Sequence, residues 1–253
     1  MNRSGGDWFH ASPDLLDVIL LAQHYVEQTR GLFDPSILPD LRRVGYDRTM
    51  DMIRSDGVFY LPDAAPRQHT PFDAIVIRPD ESLISLPHGL SLDLGGIAKG
   101  WIAERAAMLL SEYSSACGVS AGGDMYLVGL PKEQLSWPVE LDDPLHPDQK
   151  LALMHLPPGG VATSSITKRA WKQGEKMRHH LIDPRTGEPA VTEWLSVTVI
   201  ADHTDLCEVF AKALLIAGPR EAQALAENAD ISFLAVDRLG NICGTQKSLE
   251  YVL

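Results

Sequence analysis

Ser91-Leu-Asp-Leu-Gly-Gly-Ile-Ala-Lys-Gly-Trp101 decides how the rest of the chain is read. Leu90, Leu92 and Leu94 alternate around Asp93, three glycines and Lys99 follow, and a helical pattern begins at once. That order predicts a strand, a tight turn and a helix N-terminus. Glycine lets backbone approach an anion closely, and the first N–H groups of a helix have no partner within it. With Lys99 adding positive charge, a phosphorylated ligand suits the turn. The generic phosphate motifs are absent, because 95–100 does not read G-x-G-x-x-G and Lys99 is followed by Gly-Trp where a Walker loop needs Ser or Thr. On this stretch alone, a structural connection and a ligand site stand level.

Strand signals precede the turn at 58–60, 74–77, 83–86 and 90–94, separated by Pro and Gly. After it, 101–110 predicts a helix that packs Ile102, Ala106, Leu109 and Leu110 on the sheet. A second glycine pair lies in Val119-Ser-Ala-Gly-Gly-Asp124, readable as a hairpin turn or as a second ligand contact. Strands follow at 125–129, 138–141, 151–156 and 195–200, with the polar stretch 159–165 between them. Residues 179–189, His-His-Leu-Ile-Asp-Pro-Arg-Thr-Gly-Glu-Pro, gather two histidines, an Asp and an Arg around one turn, and a histidine can act as a base near neutral pH.

Towards the N-terminus, Ser12 and Pro13 are a cap and first residue for a helix with Leu15, Ile19, Ala22 and Val26 on one stripe. Asp34, before Pro35, reads as a turn cap. Towards the C-terminus, 204–217 has Leu206, Val209, Phe210, Ala213 and Leu214 at helical spacing and Gly218-Pro219 as the stop. Glu208 and Lys212 sit four apart on that helix, and their plain reading is a solvent-facing ion pair. A helix over 220–228 and strands at 231–236 and near the C-terminus complete the pattern.

Over 253 residues the chain is 45% hydrophobic and 22% charged, the composition of an ordinary globular protein. A net charge of −12 argues against a nucleic-acid partner, so an anionic ligand needs a local positive site. No apolar run is long enough for a transmembrane segment. Three scattered cysteines form neither a disulfide framework nor a zinc motif.

Taken together, LFDPS at 32–36, DLGGIAKGW at 93–101, SAGGDMYLVG at 120–129, ATSS at 162–165 with HHLIDPRTGEP at 179–189, and SVTVIADHTDLCEVFAKALLIAG at 196–218 resemble the ApbE-type flavin transferases. The resemblance implies an α+β fold, with a mixed or antiparallel sheet and covering helices, forming one ApbE-like domain over 1–253. It implies FAD as substrate, Mg²⁺ at the pyrophosphate, and transfer of FMN to a Thr or Ser hydroxyl of an acceptor flavoprotein with release of AMP. Matched residue by residue, Asp93, Gly95, Lys99, Ala121, Gly122, Gly123, Thr163 and Leu181 fall on cofactor-binding positions. Gly96, Glu208 and Lys212 fall on metal positions, and His180 and Asp183 on catalytic ones.

Three departures accompany the match. The metal-binding helix of the family carries an Asp and, four residues on, a Thr, where this chain has Glu208 and Lys212. An ammonium has three donors and no acceptor, so Lys212 either stands in for the ion or pairs with Glu208 and closes the site. The family's Thr-Ser-Gly reads Thr163-Ser164-Ser165 here. The family's N-terminal strands have no counterpart, so an N-terminally short domain is expected. That leaves open a non-catalytic FAD-binding relative, or a pyrophosphatase giving FMN and AMP. Family members are often periplasmic or lipid-anchored; with no signal peptide in the sequence as written, a cytoplasmic location is expected.

Overall fold

Ser12 Oγ accepts the Leu15 N–H at 3.3 Å and Pro13 takes the first helical position, so the first helix runs over Pro13–Gln28 as its capping residues predict. The computed structural model describes residues 1–55 and 70–252, and the strand expected at 58–60 lies outside them. In chain order the elements are β1 (Trp8–His10), α1 (Pro13–Gln28), α2 (Leu38–Arg43), α3 (Met50–Ser55), β2 (Val76–Arg78), β3 (Leu83–Ser85) and α4 (Ala98–Ser111). There follow β4 (Cys117–Ala121), β5 (Asp124–Val128), β6 (Trp137–Asp142), β7 (Lys150–Leu156), β8 (Gly159–Ser165), β9 (Ala170–Gln173) and β10 (Lys176–His179). The last are β11 (Ile182–Asp183), β12 (Glu188–Pro189), β13 (Trp194–Ala201), α5 (Thr204–Ala217), α6 (Pro219–Asn228), β14 (Ser232–Asp237), β15 (Ile242–Gly244) and α7 (Gln246–Leu249). This is an α+β chain, and every pair of strands among the described residues is antiparallel.

The chain gathers into two compact units. The first, Met1–Leu94 with Arg169–Ala190, holds the three-stranded sheet β1-β3-β2 and the hairpins β9-β10 and β11-β12. Its hairpins rest on a small core of Leu41, Val44, Ile53, Trp171 and Ile182, and the Trp171 indole N–H donates to the Val44 carbonyl at 3.1 Å. The second unit, Gly95–Lys168 with Val191–Leu253, is built on the six-stranded sheet β15-β14-β13-β8-β5-β4. Helix α5 covers β8 and β13, and α4 covers β4 and β5 beside it.

Three expectations change. Residues 90–94 join no sheet: the Asn2 side chain brackets Leu92, donating to its carbonyl and accepting from its N–H at 2.9 Å each, and the Asp93 N–H donates to the Pro35 carbonyl. These groups have partners other than a neighbouring strand, which is why an alternating pattern forms no ladder here. Helix α4 begins earlier than expected and buries Gly100, Ala103 and Ala107, while Ile102, Leu109 and Leu110 are exposed. Small residues win that face because a close neighbour leaves room for nothing larger. Lastly, the polar stretch 159–165 is an internal strand of the six-stranded sheet, paired to β5 on one side and β13 on the other.

Candidate functional site

Two glycines set the start of α5. A methyl group on Gly100 in α4 would lie 2.5 Å from the Thr204 carbonyl oxygen, and one on Gly160 in β8 would lie 2.6 Å from the Thr204 nitrogen. Only hydrogen fits at either place, so the first turn of α5 is seated directly on α4 and β8. Glu104 secures it from α4: Oε2 accepts the Thr204 N–H at 2.9 Å, and Oε1 lies 2.8 Å from His203 Nδ1. One turn further along, the seating brings Glu208 against the beginning of α4, where its Oε2 accepts the Gly100 N–H at 2.8 Å.

A buried cluster of four charges results. Lys99, in the first turn of α4, bonds through Nζ to Asp124 Oδ2 and lies 2.8 Å from Glu208 Oε1. Lys212 Nζ donates to the Gly96 carbonyl at 3.0 Å, the Glu208 carbonyl at 3.0 Å and Glu208 Oε1 at 3.2 Å. Glu208 is 1% exposed and Asp124 3%, which corrects the solvent-facing reading of the Glu208–Lys212 pair. Asp124 is delivered by the β4–β5 hairpin, whose two-residue turn, Gly122-Gly123, has φ of +67° and +101°. Positive φ at both central residues is what such a turn requires and glycine supplies at least cost. The hairpin tip borders the cluster, since a side chain on Gly122 would touch the Lys99 stem.

Mutual charge sets the protonation of these groups. Burial pushes the Glu208 carboxyl up, but Lys212, Lys99 and the Gly100 N–H outweigh it and hold it below its ordinary value. Burial and the Glu208 charge push Asp124 up against the opposing lysines. Burial lowers Lys212, with Glu208 opposing; for Lys99 burial is overcome by Glu208 and Asp124, and the ammonium is held above its ordinary value.

The structure thus brings together Gly96, Lys99, Glu208 and Lys212 beside the Ala121-Gly122-Gly123 hairpin, with Gly95 in the turn leading to Gly96. Thr163 is engaged elsewhere, its hydroxyl sharing a 2.8 Å hydrogen bond with Thr198 on the neighbouring strand. Asp93, His180, Leu181 and Asp183 belong to the other unit. The His180 N–H donates to the Arg169 carbonyl at 3.3 Å, and its ring lies 6.2 Å from that of Tyr46, which stacks on Trp171. Leu181 is buried and its carbonyl accepts the Ala190 N–H. Asp183 organises the turn: Oδ1 accepts the Arg185 N–H at 2.9 Å, Oδ2 pairs with Arg185 Nη2 at 2.9 Å, and its carbonyl accepts the Gly187 N–H.

Sequence reading missed Asp124, although it follows the glycine pair directly, and the trio Glu104, His203 and Asp205, whose donor atoms lie within 4.8 Å of one another. Of the three, Glu104 caps α5 through the Thr204 N–H, and the bond from Glu104 to His203 holds that imidazole above its ordinary pKa.

The ligand set that the resemblance assigns to magnesium can be tested on this geometry. Mg²⁺ asks for near-octahedral oxygens at about 2.0–2.1 Å. Here the Gly96 carbonyl and Glu208 are bonded to an ammonium that offers no lone pair. As they stand, these residues do not fit a divalent ion.

The ApbE family description matches residues 1–235 of the chain. A relative from Treponema pallidum named FAD:protein FMN transferase is 29% identical over 225 residues, covering 81% of this chain and 60% of its own length. One of the same name from Vibrio cholerae serotype O1 is 28% identical over 233 residues, covering 90% of this chain and 68% of its own. The chain therefore spans 60% and 68% of the length of these two relatives. Among solved structures, the ApbE protein of Thermotoga maritima superposes with a TM-score of 0.83 at 24% identity, over 99% of this chain and 81% of its own. The flavin transferase ApbE of Vibrio cholerae gives 0.78 at 22% identity, over 97% and 79%.

Proposed function

This chain belongs to the ApbE family, and from that premise we propose that it moves FMN from FAD to a Thr or Ser hydroxyl of an acceptor flavoprotein with release of AMP. The observation that carries the reading is the charge cluster beside two glycine turns, where Lys99 and Lys212 offset Asp124 and Glu208 and the part-exposed Lys99 ammonium is placed to meet an anion in a net acidic protein. A pyrophosphate is the ligand class that such a site favours.

The step is an in-line displacement at phosphorus. The acceptor hydroxyl oxygen bonds to the FMN phosphorus as that phosphorus loses its bond to the bridging oxygen, which leaves with AMP and its electron pair. The hydroxyl proton passes to a base, the role proposed for His180, and Asp183, proposed to assist it, holds the turn over 183–187 that follows in the chain. Lys99 and Lys212 stabilise the charge that builds on the phosphate oxygens, and Gly95, Ala121, Gly122 and Gly123 let the cofactor approach backbone. Asp93, Thr163 and Leu181 are proposed as further cofactor contacts. Because the Gly96–Glu208–Lys212 set does not fit magnesium, no part of this step is assigned to a metal.

Intact-mass measurement of an acceptor protein incubated with this chain and FAD tests the reading. An acceptor heavier by one FMN, with AMP released, is expected. Free FMN and AMP with an unchanged acceptor would replace transfer by hydrolysis, and intact FAD would leave binding alone.

A further inference from the structure

We propose that Lys212 is a built-in replacement for a divalent cation, so that the chain binds the pyrophosphate of FAD without added metal. The inference rests on the flavin-transferase reading for the identity of the ligand, but its structural basis is separate.

The position of the ammonium is the first ground. Its nitrogen sits 3.0 Å from the Gly96 carbonyl, 3.0 Å from the Glu208 carbonyl and 3.2 Å from Glu208 Oε1, three acceptors for three N–H donors. The side chain is 16% exposed, so this is a packed element of the site and not a surface lysine that happens to reach it. An i,i+4 spacing on α5 is what stacks it over Glu208. A cation arriving at Gly96 and Glu208 would meet a like charge already bonded to both, and displacing it would strand a buried ammonium away from its carboxylate.

Charge is the second ground. The cluster holds two ammonium groups, Lys99 and Lys212, and two carboxylates, Asp124 and Glu208, which cancel. With an uncharged residue at 212 one negative charge is left over, and a pyrophosphate would be repelled unless a divalent ion came with it. With Lys212 in place the site is neutral without any ion. The division of labour follows from exposure: Lys99, 32% exposed, is placed to meet ligand oxygens, whereas Lys212 acts through its charge from behind the Gly96 turn.

Two measurements test this. On the wild-type protein without flavin, Mn²⁺ titrated by electron paramagnetic resonance should show no saturable site that depends on Glu208. FAD affinity, followed by flavin fluorescence, should be the same in EDTA and in excess Mg²⁺. In the Lys212→Thr variant, FAD binding in EDTA should weaken by about tenfold or more, as when one close charge partner is lost. That variant should also gain a Mn²⁺ site, and Lys212→Thr/Glu208→Gln should lose it again. Wild-type Mn²⁺ binding that disappears in Glu208→Gln, or FAD binding that collapses in EDTA, would overturn the proposal. The comparison of wild-type FAD affinity in EDTA and in Mg²⁺ needs no variant to fold, and because Mn²⁺ is read without flavin, a failure of FMN transfer would sink the transferase reading while the metal titrations still decide the role of Lys212.

Discussion

Two glutamates in this chain each hold two cations, and burial is the largest difference between them. Glu208 receives Lys99, Lys212 and the Gly100 N–H at 1% exposure. Glu188 receives Arg43 and Arg178, each at 2.6 Å, with its side chain 42% exposed. Both carboxyls are held below their ordinary pKa, against a contribution from burial that pushes each up. At Glu188 water screens the pairs, and such bridges typically contribute little. At Glu208 the carboxylate has lost its water, and a well-packed apolar replacement for a pair so buried would often be as stable or more so. A charge cluster kept at that disadvantage points to a ligand, and the half-exposed one needs no such explanation.

The largest expected effect comes from Glu208→Ala. It removes the carboxylate shared by both lysines and leaves the Lys212 ammonium buried with carbonyls alone, a change that costs about 3–5 kcal/mol when one member of a buried pair is deleted. Urea denaturation followed by tryptophan fluorescence reads it. A loss no larger than that of a surface bridge would erase the contrast with Glu188.

Gly100→Ala sharpens the same comparison from the backbone side. In an open helix alanine would be the better residue, by about 1 kcal/mol. Here its methyl group would lie 2.5 Å from the Thr204 carbonyl and 2.8 Å from the Asp205 nitrogen, both backbone atoms that no rotamer change can move. Forced repacking of that kind costs about 1–3 kcal/mol, so the sign reverses. The shift also parts the Gly100 N–H from Glu208, and a variant as stable as wild type would show that α5 is not seated by close contact with α4.

How much of this was legible beforehand depends on whether the deciding contact is local. Helix 204–217 is legible with its boundaries, because its stripe and its Gly218 stop are carried by neighbours in sequence. Of the two readings open for Gly122-Gly123, the hairpin turn is legible for the same reason, since positive φ has a residue signature. The 90–94 segment was not, because the side chain that takes Leu92 out of a ladder is Asn2, some ninety positions away. Helix α4 misled through its branched residues: the buried side is chosen by how near α5 lies, and Gly100, Ala103 and Ala107 carry no hydrophobic signal of that. At the site, the glycines and Lys99 are visible in the sequence, while nothing local marks Asp124 as the partner of Lys99. Lys212 stands out against the family pattern, but its burial follows from the packing of α5 against the sheet, which i,i+4 spacing does not reveal.

The smallest effect is expected of Glu188→Gln. The Arg43 and Arg178 bonds keep the folded carboxyl below its ordinary value of 4.5, so the pairs contribute stability that is present above that value and is lost as pH falls through the lower folded pKa. Glutamine cannot make the charged pair. Wild type and variant should therefore differ at neutral pH by under about 1 kcal/mol, a figure already reduced for solvent screening, and the difference should shrink with acid and with salt. Denaturation midpoints at neutral and acidic pH, at low and high salt, give the four values needed. A difference that persisted in acid, or that rivalled Glu208→Ala at neutral pH, would mean that Glu188 is held by shape and not by charge. The two glutamates would then differ in kind, and burial alone would no longer explain why one cluster costs stability while the other adds a little.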